Sequence, residues 1–575
     1  MQIVESPSDL PDDASFDIAV IGAGGAGMAA ALFAAIEGRR VLLIEHTGLV
    51  GGTTAWAAGS AWVPGTQHGL AVNPGDTLVE AARYLDHAVG TDIPRSLREA
   101  FLAHGGPVIA HLEANSAVRF RAYARHPDYL SELPGSSLNG RALEPLPFDG
   151  RQLGRLFGLL RPPIPEFTVL GGMMVDRTDI QHLLGLARSF GSLRHAIGLM
   201  ARHGRDRLRH PRGTRLVMGN ALVGRLLYSL SLHSSVTIAI NTGVESIERG
   251  ASGVTGVVLV TGDRRRHIAV TGGVVLATGG FNRQPDLRAR LLPGIASDWC
   301  ALAPGRVSNA HELARDAGAV YREGSPSHAF WAPVSLRQRF DGSTAVFPHF
   351  VMDRAKPGVI AVDGMGRRFV NESCSYHQFA LAMQAAGVIP AYLVCDAKAL
   401  RQYGLGMVRP GTGQRGLAPF LADGYLVKGD TIERLAGRLA IDAAGLTGSI
   451  AMMAGAAQAG KDSAFHRGET AYQQNIGDAG AGLPNPCLGP LDTPPFYAIR
   501  LYPGDIGAAT GFMTDADARL LDASGEPIAG LYAVGNDMQS IMGGAYVGPG
   551  NTIGPGLVFA YLAARHAGAR SEASR

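Results

Sequence analysis

The sequence predicts an α/β fold organised on a parallel sheet, and three observations carry that expectation. Near the N-terminus, "DIAVIGAGGAGMAAALFAAIEGRRVLLIEH" sets two short apolar runs on either side of a glycine-rich turn and an alanine-rich stretch. Much later, "GGVVLATGGFNRQ" (272–284) and "GLYAVGND" (530–537) repeat the arrangement of an apolar run followed by glycine. Across the chain, 77 glycines in 575 residues show no G-X-Y period, so they mark turns and close approaches rather than a fibrous repeat.

The first stretch justifies its elements in turn. Residues 18–21 are short and uniformly apolar, as a fully buried strand requires. Gly22, Gly24 and Gly27 follow as G-x-G-x-x-G, with Gly25 and Ala26 between them, and residues 28–37 are helical in composition. A second buried strand, 41–44, ends at Glu45. In this context the first glycine makes the tight turn, the second admits a pyrophosphate, and the third lets helix and strand pack. The helix N-terminus turns partial positive charge toward the phosphates. Glu45 stands a little over ~20 residues past Gly22, where an acid accepts ribose hydroxyls, which favours a ribose without a 2′-phosphate. The apolar run 18–36 nearly reaches membrane-span length, but its four internal glycines argue for strand, turn and helix.

Composition narrows the class. Hydrophobic residues make up 46% and charged residues 18%, ordinary for a soluble enzyme of two or more domains. A net charge of +3 is too small to argue for nucleic acid. Cys300, Cys374, Cys395 and Cys487 are scattered without a CxxC, which argues against a zinc site or disulfide framework and for a reducing, cytoplasmic setting. The acidic N-terminal stretch lacks the basic start and apolar core of a signal peptide.

The run "GGTTAWAAGSAWVPG" (51–65) brings Gly51 and Gly52 with two hydroxyls, Thr53 and Thr54, to meet a second part of a long cofactor. Here the sequence resembles the FAD-dependent fumarate reductase and 3-ketosteroid dehydrogenase superfamily. The resemblance implies non-covalent FAD and a flavin domain completed by the two later strands, whose ends carry Ala277, Thr278 and Gly279, and Gly535 and Asn536. It therefore implies a discontinuous Rossmann-like FAD-binding domain, 1–295 and 500–575, with an inserted α+β catalytic domain over 296–499.

The chemistry centres on "GGAYVGPGNTIGPG" (543–556), where one phenol, Tyr546, stands in an almost bare backbone. Glycines there let the backbone approach a flat ligand closely. A flavin oxidant working beside a ketone needs donors at the carbonyl oxygen, a base at the α-carbon and a wall that aims the hydride. Tyr546 offers an O–H, and Gly550, four residues on, offers an unhindered N–H. Asn551, Thr552 and Ile553 open a helix whose positive end faces the flavin pyrimidine. Soluble fumarate reductases carry arginine where Tyr546 stands, so the tyrosine suits a neutral ketone.

The motifs "GGTTAW", "DYLSELPG", "RRFVNESCSY", "FHRGETAY", "PGDIGAATGFMTD", "GLYAVGN" and "YVGPGNTIGP" resemble those of the 3-ketosteroid Δ1-dehydrogenases along the whole chain. That resemblance implies Tyr376, three residues after Asn371-Glu372-Ser373, as the proton-abstracting residue. It implies Tyr546 and Gly550 as the keto-oxygen clamp, and an assisting tyrosine matched to Tyr123, with Tyr129 as the alternative register. It further implies a hydrophobic steroid ketone as substrate, oxidised at C1–C2, and a quinone- or dye-like electron acceptor. The alternative is a related flavin enzyme on another substrate, a Δ4-(5α)-type steroid dehydrogenase or a fumarate-reductase-like alkene reductase. Ala57, Ala58, His126 and "GNDMQS" depart from the family pattern around the flavin and the substrate mouth. The arginine-rich segment 151–215, with apolar residues at helical spacing, reads either as a solvated basic face or as a membrane-surface patch.

Overall fold

In the computed structural model, which describes residues 1–185, 189–305, 308–322, 324–351 and 353–573, the uninterrupted apolar stretch before Gly22 lies mid-sheet. Its strand, Ser15–Ile21, is flanked on both sides by parallel partners. The parallel order is Gln2–Val4, Val236–Ala239, Val41–Ile44, Ser15–Ile21, Arg264–Leu276 and Pro527–Ala533. The first half of Arg264–Leu276 instead carries the antiparallel strands Gly253–Thr261 and Gly243–Gly250. The helix Gly25–Ile36 is buried along almost its whole length, packed against the helices Met218–Ser231 and Ile553–Ala573. Its alanines let three backbones lie close together. Residues 18–36 are thus strand, turn and helix, and among the described residues no helix is long and apolar enough to cross a membrane.

A second, antiparallel sheet runs Thr344–Pro348, Ala329–Gln338, Phe496–Ala508, Ala391–Asp396, Val359–Val362, with Val427–Gly429 beside Phe496–Ala508. Strand residues alternate between its faces. Val359, Ala361, Leu393 and Cys395 pack with Phe379 and Met383 of the helix Tyr376–Ala385. Ile360, Val362, Tyr392 and Val394 pack with the helices Ile432–Leu439 and Ala443–Ala459. Burial on both faces explains the unbroken apolar runs "VIAV" and "AYLVC".

The strand Phe496–Ala508 corrects one expected boundary. It pairs with Ala391–Asp396 and then with Ala329–Gln338, so a division at 499/500 cuts through a strand and the return to the first sheet lies beyond Ala508. Pro503 and Gly504, residues that ordinarily interrupt strands, lie inside it, with Pro503 opposite Pro333.

The segment 151–215 is anchored by buried acids. Asp179 accepts from Arg215 at 2.6 Å and bonds His195 at 2.8 Å, and Asp206 accepts from the Thr214 N–H and hydroxyl, both at 2.8 Å. The helix Phe190–Arg207 buries Ala196, Leu199 and Asp206 and leaves Phe190, Leu193, Ile197 and Met200 exposed on its outer side.

Candidate active site

A cavity of about 450 Å³ runs from the turn after Ser15–Ile21 to a cluster of tyrosines between the two sheets. At the first end the three fingerprint glycines have separate surroundings. Gly22 (φ 107°) is left-handed, and a Cβ there would collide with the Ala277 carbonyl. A Cβ on Gly27 would collide with the Gly22 carbonyl, so this glycine sets how closely helix and strand pack. Gly24 has nothing within 4 Å of where a Cβ would stand, and it lines the cavity. Turn, packing and open approach are the three roles a pyrophosphate cradle requires.

The remaining expected cofactor residues divide in two. Gly25, Ala26, Glu45, Gly52, Thr53, Thr54, Ala277, Thr278, Gly279, Gly535, Asn536, Thr552 and Ile553 line the cavity. Gly27, Gly51 and Asn551 stand behind that lining. Gly51 donates its N–H to the Ala23 carbonyl at 2.7 Å. Asn551 accepts from the Val547 N–H at 3.0 Å and so holds the Tyr546 loop. Glu45 accepts from the Ala23 N–H at 3.0 Å and from the Thr47 hydroxyl at 2.8 Å, which orients it at the end of its strand. The Thr54 hydroxyl accepts the Gly25 N–H at 3.2 Å.

Asp537 organises the opposite wall. Its carboxylate accepts from the Thr278 N–H, the Thr278 hydroxyl (2.9 Å) and the Gly280 N–H (2.8 Å), and it meets His311 at 2.8 Å. Burial works to raise its pKa, but His311 and these donors outweigh it and hold the carboxyl below its usual range. An open glycine cradle, a helix N-terminus and an acid at the adjacent strand end fit a flavin dinucleotide.

At the second end, three tyrosines distant in sequence converge. Tyr376 is the first residue of the helix Tyr376–Ala385, whose start is capped by Ser375 accepting from the Gln378 N–H. Below that turn lies a buried ionic cluster. Glu372 accepts from Arg368 at 2.7 Å and from Arg467 at 3.1 Å, and Arg368 also reaches Asp462 at 2.7 Å. The Asn-Glu-Ser triplet therefore anchors the helix that presents Tyr376.

Tyr129 comes from the opposite side. Its N–H donates to the Val547 carbonyl at 3.0 Å, and the preceding Asp128 accepts from Trp62 at 2.8 Å and from Arg141 at 2.9 Å. The Tyr129 hydroxyl donates to that of Tyr376 at 3.3 Å. Tyr546 completes the group, its ring stacked on Tyr129 (5.7 Å, 14°) and edge-on to Tyr376 (5.1 Å, 70°). Tyr123 lines the same cavity, but its hydroxyl bonds Ser60 at 2.9 Å, so the structure brings Tyr129 rather than Tyr123 to Tyr376.

Gly550 lines the cavity with φ 92°, and its N–H has no protein acceptor among the described residues. A Cβ there would collide with the Ser60 carbonyl. Its neighbours Gly548 and Gly554 are pressed against Trp62 in the same way. Gly548, Gly550 and Gly554 thus allow close packing against residues 60–62, while Gly550 and Gly556 line the cavity.

Burial pushes Tyr376 and Tyr129 well above the ordinary phenol range, and the neighbouring phenols add to this. It pushes Tyr546 up to about 12, with the Tyr376 hydroxyl pulling the other way. His126, held down to about 4 by burial and then by Arg177, is neutral at neutral pH. At this end the cavity is a low-dielectric chamber of phenols walled by Phe350 and Ile164, with Arg177 among its lining residues. Sequence reasoning missed Ser60, Phe350, Arg161 and Arg177 as lining residues, and only a spatial picture brings them together.

The comparisons with known proteins agree with this layout. A family model described as an FAD binding domain matches residues 17–553. A 4-oxocyclohex-2-ene-1-carboxylate 5-dehydrogenase of Sinomonas cyclohexanicum is 37% identical over 96% of this chain and 93% of its own. A 3-oxosteroid 1-dehydrogenase of Mycolicibacterium smegmatis is 33% identical over 97% and 98%. The crystal structure of 3-ketosteroid Δ1-dehydrogenase from Sterolibacterium denitrificans in complex with 1,4-androstadiene-3,17-dione has a TM-score of 0.89 at 33% identity, covering 97% of this chain and all of that one. The chain belongs to the FAD-dependent dehydrogenase family that includes the 3-oxosteroid 1-dehydrogenases.

Proposed function

We propose that this chain dehydrogenates the carbon–carbon bond beside a ring ketone, with a 3-ketosteroid oxidised at C1–C2 as the leading substrate. The observation that carries the reading is the convergence of Tyr129, Tyr376, Tyr546 and the free Gly550 N–H at one end of a cavity whose other end is a dinucleotide cradle. Tyr546 and Gly550 donate to the ketone oxygen, which acidifies the α-carbon and stabilises the developing enolate. Tyr376 takes the α-proton. Its hydroxyl is hydrogen-bonded to that of Tyr129 at 3.3 Å, a partner placed to pass the proton on. The cradle of Gly22, Gly24 and Gly25 would hold FAD, which would supply the hydride acceptor for the β-carbon and a route for the electron pair to an acceptor of the quinone or dye type. Residues 301–305 and Phe350 line the cavity.

A second reading takes a smaller ring ketone of the 4-oxocyclohexane type, as the name of the Sinomonas relative suggests. One assay addresses both. The FAD-loaded protein is supplied with androst-4-ene-3,17-dione or 4-oxocyclohexanecarboxylate and an acceptor dye, and conjugated-product absorbance is followed with dye bleaching. Absence of turnover on either ketone, together with reduction of fumarate, overturns the proposal.

The outer helix of 151–215 supports peripheral membrane contact. Phe190 (82% exposed), Leu193, Ile197 and Met200 form an apolar stripe, with Leu208 (83%) beyond it, among the exposed Arg194, Arg205, Arg207 and Arg209. Sedimentation with anionic vesicles tests this. Equal recovery of protein with and without vesicles refutes it.

A further inference from the structure

The substrate end of the cavity holds one arginine whose charge is not answered within the protein. Arg177 opens the helix Arg177–Leu184 and lines the cavity with Tyr123, His126 and Tyr129. Its guanidinium lies 4.9 Å from the centroid of the Tyr123 ring, and among the described residues its side chain has no carboxylate partner. The acids nearest in sequence are already engaged, since Asp176 and Asp179 both pair with Arg215, at 3.2 and 2.6 Å.

Of the other arginines of this segment, Arg161 lines the cavity at its cofactor end, bonded to the Thr47 hydroxyl at 3.3 Å, and Arg151 and Arg202 are paired. Arg151 meets Asp149 at 2.5 Å, and Arg202 meets it at 3.0 Å. Among the described lining residues, Glu45 is the sole carboxylate, and it sits at the cofactor end bonded to Ala23 and Thr47. Glu144, whose charge also reaches Tyr123, meets Arg121 at 2.7 Å. His126 is uncharged, and Lys356, whose ammonium group donates to the carbonyls of Ile476 and Gly477 at 2.8 and 2.7 Å, feels the charge of Arg177. Tyr123 serves as its platform, an aromatic face on which a guanidinium stacks while its edge N–H groups stay available.

We propose that Arg177 is a specificity-determining residue that reads a carboxylate on the substrate, so that the site favours ring ketones carrying an anionic group remote from the carbonyl. This rests on the ring-ketone reading given above and names the substrate class within it. A guanidinium fork matches a carboxylate with two parallel hydrogen bonds, whereas an ester or a bare ring offers it no such partner. Two sources supply this chemistry, a short cyclohexanone carboxylate or a 3-oxosteroid with a carboxylated side chain.

The test uses the FAD-loaded protein and reads ligand binding through perturbation of the flavin absorption spectrum, alongside kcat and KM. The ligands are 4-oxocyclohexanecarboxylate, 3-oxochol-4-en-24-oate and the methyl ester of each. The expected result is that one acid binds about ten-fold or more tightly than its ester, as a charge-assisted bidentate pair provides, and that salt weakens this preference. The acid that shows it identifies the source. Arg177→Met brings the acid-to-ester ratio close to parity, chiefly through KM, and Arg177→Lys retains part of it. Acids and esters binding within about two-fold of each other in the unaltered protein overturn the proposal, as does an Arg177→Met ratio equal to the original. If the esters are dehydrogenated but the acids show no advantage, the arginine assignment alone fails. If no ring ketone binds or reacts, the ring-ketone reading fails with it.

Discussion

The two ends of the cavity are built on opposite plans. The core of the cofactor end comes from one continuous stretch, 18–54, in which Gly27 packs on Gly22, Gly25 is held by Thr54 and Glu45 accepts from the Ala23 N–H, and the later segments around Ala277 and Asp537 complete its walls. The substrate end is assembled from Tyr129, Tyr376 and Tyr546, carried by three separate segments and two sheets. A local site is robust because one strand–turn–helix unit determines it. A distributed site depends on how the two sheets are docked, and each of its groups is replaceable without rebuilding the others.

This contrast predicts effects of different kind and size. Gly27→Val is the most severe. Its side chain enters the Gly22 carbonyl, so overpacking costs about 3 kcal/mol or more and the purified protein loses bound FAD and melts earlier. The flavin-to-protein absorbance ratio and a thermal melt check this, and a normally loaded, stable variant breaks the idea of a locally determined end.

At the distributed end, folding and FAD content persist and rate is lost. Tyr376→Phe removes the base and lowers kcat by about 10³. In the unaltered enzyme the phenol is raised well above its ordinary range, chiefly by burial. A base acts only when deprotonated, so kcat/KM climbs with pH through the neutral and alkaline range, and a plateau at neutral pH contradicts the assignment. Tyr546→Phe removes one oxygen donor and lowers kcat by about 10², close to 3 kcal/mol of transition-state stabilisation.

The smallest effect is the sharpest discriminator. Tyr129→Phe removes the hydrogen bond to Tyr376 and lowers kcat by about ten-fold, while Tyr123→Phe removes only a bond to Ser60 and costs about two-fold. The reverse order returns the assisting role to Tyr123.

The same contrast governs what was legible in the sequence. The roles of Gly22, Gly24 and Gly27 follow from their spacing within one strand–turn–helix unit, although the carbonyl that Gly22 must clear belongs to Ala277, far along the chain. Tyr546 and Gly550 were legible for a related reason, a phenol isolated in bare backbone, although Gly548, Gly550 and Gly554 also pack against Trp62 and Ser60. The choice between Tyr123 and Tyr129 was not legible. The two are six residues apart across a turn, and only the N–H of Tyr129 bonded to Val547 places its ring on Tyr546. Arg177 was hidden for a different reason, as one arginine among many in a segment that reads as a basic face. Its singularity lies in what Arg215 takes from it.

Tyr376 rides on a helix of the second sheet, while Gly550, Tyr546 and the glycine cradle belong to the first. On the proposed roles, proton removal and electron uptake therefore have separate mechanical mounts. A shift of an ångström between those mounts stalls dehydrogenation while leaving the flavin's colour and potential intact, so a protein that is yellow and dye-reducible yet idle on substrate is the signature of misaligned sheets.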